Sequence, residues 1–563
     1  MTRRLTFLTA ILGCLALLFG WSMGFDGAAT ERLRKASGAA PSHTAAPTGG
    51  EGDGAATDDA SPDGPAAPAV QADASPEAGT LQGDAAVQDA QAQDEQWRGY
   101  WVDSFNEGIS TPDEVRQMVA DAQAVGANAL VVQVARWYDC FCDDSTLPRT
   151  DADLDPGYDP LEEVVDQAHA AGLEVHAWVN STTMWSRSTP PESADHVYNT
   201  NGFSASGSDR WLNKRNDGVE KIGTMSYVDP ANPAAVDYLV DGVVSIAENY
   251  DIDGVNLDYI RYPDDSANSN ANDWGYSETS LARFAAETGR TDVPAPNDQQ
   301  FSDWRREQVT NMVRKVYVGL YENDPSDRLS VNAVTYGDGP STVGAWESTQ
   351  PYLGVLQDWK GWLDEGIVDT VMTMNYKSHS SANSLRRFDE WNAALLEYQA
   401  GRHGVAGPGL YLNDVAENVA QAQRVDDLGL GWNGYSYANT TEAAADSSDV
   451  AVDRAERAAL TSALRSGVFA DDVAVPEMTW KTSPSTGMVS GTVDLQGGGP
   501  VDVVLQPADG LGEQVVTRTD ATGWFGATGL EPGAYEVRAG GSDTTVRVQE
   551  GEVAEAQLSA AGD

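Results

Sequence analysis

Cysteine is nearly absent from this 563-residue chain: there are three, and only Cys140 and Cys142 lie outside the N-terminal apolar run. So few exclude a disulfide-built scaffold. They sit two apart in Asp139-Cys140-Phe141-Cys142, near the upper limit for bridging on an extended backbone. Outside a cell they would close a tight local disulfide; no His or second Cys pair accompanies them for a redox or metal role. Histidine is almost as scarce, with six residues, and His176, His379 and His403 lack the spacing of a metal-binding helix. No metal and no cofactor is therefore expected. Basic residues are few, 35 against 86 acidic ones, for a formal net charge of -51. That field repels nucleic acid and anionic membrane surfaces and argues against a polyanionic partner. A Gly-rich phosphate turn after an early strand is missing too, which counts against a doubly wound dinucleotide fold.

What is present begins with an export signal. Arg3 and Arg4 precede the 17 nearly all-apolar residues from Leu5 to Trp21, and Ser22 and Gly24 have the small-residue spacing for cleavage after Gly24. Two other endings compete: Ile11-Leu12-Gly13-Cys14 resembles a lipoprotein box, and the uncleaved run is at the short limit for a membrane anchor. Either way the chain is expected to be secreted or anchored on the outer face of the cell membrane, touching the membrane only through residues 1–24. Residues 25–96 are rich in Ala, Pro, Gly, Asp and Ser and cannot bury enough apolar surface to offset their ordering entropy. They read as a disordered spacer.

From Trp97 onward, short apolar strands alternate with helix signals. Strands are expected near 99–102, 129–134, 175–179, 254–257, 329–334, 368–374, 404–410 and 430–435. Thr111-Pro112-Asp113-Glu114, Asp159-Pro160 and Asn232-Pro233 mark helix starts. Eight such strands over 97–475 predict an α/β fold, a (β/α)8 TIM-like barrel. Two connections, 181–229 and 262–300, are long; Trp185, Tyr198, Trp211, Trp274 and Tyr276 mark them as ordered, substrate-facing walls. Over 484–563 the alternation becomes purely β, predicting a small all-β sandwich as an accessory domain. That segment resembles transthyretin-like and carboxypeptidase-regulatory-type modules.

The central stretch is Asp253-Gly254-Val255-Asn256-Leu257-Asp258-Tyr259-Ile260-Arg261-Tyr262-Pro263. It reads as a strand ending on a carboxylate, and in a parallel barrel the C-terminal strand ends carry the chemistry. Asp258 is the leading catalytic candidate; the structural alternative is a cap or an ion pair with Arg261. Tyr and Trp are plentiful, 20 and 16 against 11 Phe, and amphipathic rings suit sugar faces as well as cores.

The barrel segment resembles the bacterial exported family-10-like glycosyl hydrolases. The match runs from Arg98-Gly99-Tyr100-Trp101 through the strand of residues 128–134 with Asp139 beyond it and Asp155-Pro156-Gly157-Tyr158-Asp159-Pro160-Leu161. It continues in Gly172-Leu173-Glu174-Val175-His176-Ala177-Trp178-Val179-Asn180, the Asp258 strand, Gln357-Asp358-Trp359, and Val368-Asp369-Thr370-Val371-Met372-Thr373-Met374-Asn375-Tyr376. Ala135 stands where the family usually has Arg, with Arg136 adjacent, and Cys142 replaces an aromatic. The resemblance implies an exported hydrolase cleaving a polysaccharide or peptidoglycan-type glycan. The alternative is a non-catalytic glycan-binding barrel at the cell surface. Glycoside hydrolysis needs two carboxyl groups, one to protonate the leaving oxygen. Asp258 is expected as nucleophile or base, with Asp103, Asp139 and Asp358 as candidate acids. The structural alternatives are loop capping for Asp103 and Asp139 and a helix N-terminal acid for Asp358. Substrate contacts are expected from Trp101, Arg136, His176, Trp178, Asn180, Tyr259, Arg261, Tyr262, Asn375 and Tyr376; for His176 a buried core role competes.

Overall fold

The computed structural model describes residues 95–266 and 270–558. The expected export segment of residues 1–24, and the spacer up to Asp94, lie outside them. Eight parallel strands close a barrel: β1 (Arg98–Val102), β2 (Ala129–Ala135), β3 (Glu174–Asn180), β4 (Gly254–Asp258), β5 (Arg328–Val334), β6 (Thr370–Asn375), β7 (His403–Pro408) and β8 (Gly431–Tyr435). Each pairs with its neighbours in sequence, and β8 closes on β1. The outer helices are α1 (Pro112–Val125), α2 (Pro160–Ala170), α3 (Pro233–Asn249), α4 (Gln299–Asn323), α5 (Trp359–Glu365), α6 (Ala382–Tyr398), α7 (Val415–Asp426) and α8 (Val450–Arg465).

Local chemistry sets these boundaries. Thr111, Asp159 and Asn232 each accept a backbone N–H of the first helical turn, and a proline follows each cap. Only half of the capping box at α1 forms, because the Glu114 carboxylate turns back to Gly108 N and Ser110 N. The strands read as continuous apolar runs because a parallel sheet is covered on both faces. Their outward residues pack against the helices. The inward set, including Trp97, Trp101, Val131, Trp178, Met372, Tyr376 and Val405, fills the barrel interior. Trp101 demands a glycine opposite it, since a Cβ on Gly407 would stand 2.4 Å from its ring.

In the described parts of the two long connections the rings turn inward. Trp185, Trp211, Trp274 and Tyr276 are buried and form the loops' own core, with Trp274 edge-on to Tyr227 at 5.9 Å and Trp211 5.6 Å from Tyr238. Burying a ring against its own loop removes more apolar surface from water than leaving it in an open cleft. The first connection also holds a three-stranded sheet (Thr183–Trp185, Lys221–Ile222, Met225–Tyr227), and the second a helix (Glu278–Thr288).

Beyond the barrel, two sheets form the sandwich. One joins β9 (Gly487–Val493), β12 (Trp524–Leu530) and β15 (Val553–Leu558); the other joins β10 (Asp502–Pro507), β11 (Val515–Arg518), β13 (Gly533–Ala539) and β14 (Ser542–Val548). The sandwich touches α4, where buried Lys315 pairs with Asp237 at 2.6 Å and with Asp520 at 2.7 Å. The segment before it crosses the N-terminal end of the barrel, where Trp480 donates to fully buried Asp369 at 2.7 Å and Lys481 pairs with it at 2.9 Å.

Candidate active site

Strand register brings one set of polar side chains to the C-terminal mouth. Asn180 stands opposite Asp258, and Trp101 opposite Tyr435. Because side chains alternate, Asp103, Gln133, Asn180, Asp258, Asn332 and Tyr435 follow the inward positions of their strands. The loops that follow are tied together. Asn180 Nδ2 and the Thr183 hydroxyl both donate to Arg136 O at 3.0 Å, Thr182 donates to Tyr259 O at 2.6 Å, and Ser181 N donates to Asp258 O at 2.7 Å.

Asp258 is 5 % exposed. Burial pushes its carboxyl above the ordinary value; the Arg261 charge, the Tyr259 N–H and the Asn332 and Trp178 side chains oppose that shift. Tyr259 takes the left-handed conformation at φ 49°, which turns the chain sharply after the carboxylate, and the Arg261 guanidinium lies 4.7 Å from its ring. Arg261 pairs at 3.7 Å with Asp264, which accepts the Tyr336 hydroxyl at 3.1 Å.

Asp103 is equally buried. Burial lifts its carboxyl as well, against hydrogen bonds from Asn106 and Phe105 N. Tyr435, stacked on Tyr376 at 5.0 Å, has its phenol pushed up by burial and then by the nearby charges of Asp103 and Asp258, so it lies within electrostatic reach of both acids.

The structure thus gathers Asp103, Trp101, Trp178, Asn180, Asp258, Tyr259, Arg261 and Tyr376 around one mouth. It places the other expected residues elsewhere. Asp139 is spent inside the β2 loop, accepting Arg136 N, Trp137 N and the Thr150 hydroxyl and pairing with Arg136 at 3.4 Å. The Arg136 guanidinium is buried among the Phe105, Trp137 and Phe141 rings, over a loop that the Cys140–Cys142 disulfide tightens. His176, third in β3, lies at the N-terminal end of the barrel, 3.1 Å from Glu174 and against Trp97. Tyr262 packs outward in the core beside Arg305. Asn375 also faces outward, donating to Phe388 O and Asn392 on α6.

Asp358 caps α5, accepting Gly361 N at 3.1 Å and Trp346 Nε1 at 2.7 Å. Asp358→Ala should therefore cost about 0.5–2 kcal/mol of stability while activity per folded molecule stays within about twofold of the parent. Thermal melting and specific activity on one preparation check this; a thousandfold loss at unchanged melting temperature would restore Asp358 as an acid.

Several mouth residues carried no sequence signal: Asn332, Asp264, Tyr336, Tyr435 and Lys377. The Lys377 amine donates to Thr335 O at 3.0 Å, and burial with the Arg387 charge pulls it down to about 7. Among the described residues no three His, Cys, Asp or Glu side chains are grouped to hold a metal.

Comparison with known proteins gives the family. Glycosyl hydrolase YngK of Bacillus subtilis (strain 168) is 24% identical over 305 residues, 51% of this chain and 55% of its own. Glycosyl hydrolase DigH of Escherichia coli (strain K12) is 25% identical over 293 residues, 49% of this chain and 60% of its own. The chain thus spans little more than half the length of these relatives. Among solved structures, the catalytic domain of β-amylase from Paenibacillus polymyxa aligns at a TM-score of 0.44 with 11% identity, covering 61% of this chain and 92% of that one. The model of the glycosyl hydrolase-like 10 family matches residues 96–402, a span that holds Asp103, Asp258 and their loops. The chain belongs to the glycosyl hydrolase-like 10 family.

Proposed function

We propose that the protein is an exported glycoside hydrolase that cleaves bonds within a polysaccharide or cell-wall glycan, with Asp258 as nucleophile or base and Asp103 as the acid. The observation that carries this reading is a pair of buried carboxyls at one barrel mouth, both lifted by burial, with the Arg261 charge opposing that lift at Asp258. Environments that push two carboxyls apart divide the acid and base roles. Arg261 favours the charged form of Asp258, while burial favours the protonated form of Asp103, the form that can give a proton to the leaving oxygen. Half-buried Tyr435, backed by the stacked Tyr376 ring, supplies an amphipathic face for a sugar ring at the mouth.

The purified chain should release reducing ends from at least one of peptidoglycan, chitin-like glycans and α- or β-glucans. Binding without release on every one of these would favour a non-catalytic glycan-binding barrel.

A further inference from the structure

Arg187 stands out in a chain where acids outnumber bases 86 to 35. It is half-buried in the connection after β3, with its guanidinium 5.4 Å from the Trp137 ring centroid and 5.7 Å from that of Trp185. Those rings contact each other at 5.3 Å, and Trp137 contacts Phe105 at 5.6 Å. Phe105 N in turn donates to Asp103 at 3.0 Å. The rings are packed edge to edge across the loops that follow β1, β2 and β3, and half-buried Arg187 sits at the outer end of that cluster. Among the described residues Arg187 makes no ion pair and no hydrogen bond. The neighbouring cation whose charge it feels, Arg136, is matched by Asp139.

Leaving one guanidinium unmatched amid such an excess of acids has a chemical consequence. The indole faces hold the charge in place through cation–π attraction without satisfying its N–H donors. A planar fork of donors held this way fits a carboxylate in two-point fashion.

We propose that Arg187 is a specificity-determining residue that binds a carboxylate on a sugar held at the rim of the barrel mouth, where the loop after β3 presents its guanidinium. This rests on the glycan reading above. Because Arg187 belongs to the loop after β3, on the same end of the barrel as Asp258, the sugar it reads is part of the same bound glycan. The chain's overall negative charge opposes anionic partners at range, but charges beyond about 8 Å are largely screened at physiological salt. A carboxylate brought against one unmatched guanidinium is then decided locally.

The test uses the full chain carrying Asp258→Asn, so that binding is read without turnover. Calorimetry compares hyaluronan-type, galacturonate and muramic-acid-containing oligosaccharides with the same oligosaccharides after their carboxyls are reduced to alcohols. At least one acidic glycan should bind about tenfold more tightly than its reduced form, as one charge-assisted pair allows. Arg187→Gln should abolish that difference, Arg187→Lys should keep part of it, and affinity for the reduced glycan should not move. Equal weakening on acidic and reduced glycans, or no preference for any acidic glycan in the parent, overturns the proposal. Melting temperatures of both Arg187 variants separate lost binding from lost folding. Failure of the hydrolase reading would appear instead as absent cleavage by the wild-type chain with the binding difference intact.

Discussion

Replacing Asp258 with Asn should lower glycan turnover by roughly three orders of magnitude or more, the scale on which removing a central catalytic group acts. An amide cannot attack an anomeric carbon, activate water or offset a developing oxocarbenium charge. The fold should hold. The substitution is nearly isosteric and removes a charge whose burial is already unfavourable, as the upward shift of the carboxyl records. The Tyr259 N–H keeps an oxygen acceptor within reach. Melting temperature should stay within about 3 °C of the parent, since no cavity or unpaired charge is created. If Asp258 only steadied Arg261 and the β4 turn, the pattern would reverse, with a clear drop in melting temperature and turnover within tenfold of wild type.

The second large effect belongs to Asp103. Loss of a general acid costs typically about 10²–10⁴ in rate, and the cost depends on the leaving group. Asp103→Asn should therefore lose that much on the native glycan and far less on an activated aryl glycoside of the same sugar, whose phenolate leaves without a proton. A uniform loss on both substrates would assign Asp103 to binding or loop capping. The pH profile gives a further check. Burial raises both carboxyls, so activity should lie in a window above the ordinary range of exposed aspartates, limited on the acid side by Asp258 ionisation and on the alkaline side by Asp103 deprotonation. Asp103→Asn should erase the alkaline limb only.

Stability should move with a sign fixed by the same shift. The folded chain holds the Asp103 proton more tightly than the unfolded one, so this group favours folding below its unfolded value, and that contribution is lost as pH rises through the raised one. The Asn variant should thus compare more favourably with the parent at pH 7 than at pH 4.

Much of this architecture is legible in the sequence, for a physical reason. Strands buried on both faces are largely apolar, so the ends of all eight barrel strands fall within two residues of expectation, while one outer helix and one sandwich strand are not anticipated. The exceptions show where pattern reading stops. The α7 sequence, Val-Ala-Glu-Asn-Val-Ala-Gln-Ala-Gln-Arg-Val-Asp, spreads its few large apolar residues thinly, and β15 carries alanine and glutamate where a strand usually carries branched residues. Neither announces itself.

The position of Asp258 at a strand end was legible because the acid closes an apolar run. Which further residues join it depends on strand parity, and a shift of one residue reverses the face. β6 begins at Thr370, so Asn375 turns to α6 while Tyr376 reaches the mouth. His176 illustrates a second limit. It has the inward parity but sits near the start of its strand, so it meets Trp97 and Glu174 instead of the cleft. Asn332 and Tyr435 become visible only once the barrel closes, because each belongs to a strand whose own sequence carries no acid.

The most direct measurement is hydrolysis in ¹⁸O-labelled water, with products resolved by mass spectrometry. If the Asp258–Asp103 mouth cleaves glycosidic bonds, each newly formed reducing end should carry one ¹⁸O, and the Asp258→Asn protein should form labelled product roughly a thousandfold more slowly, or slower still. Cleavage that leaves no label at the new reducing end, or labelled product undiminished in the Asp258→Asn protein, would contradict the account.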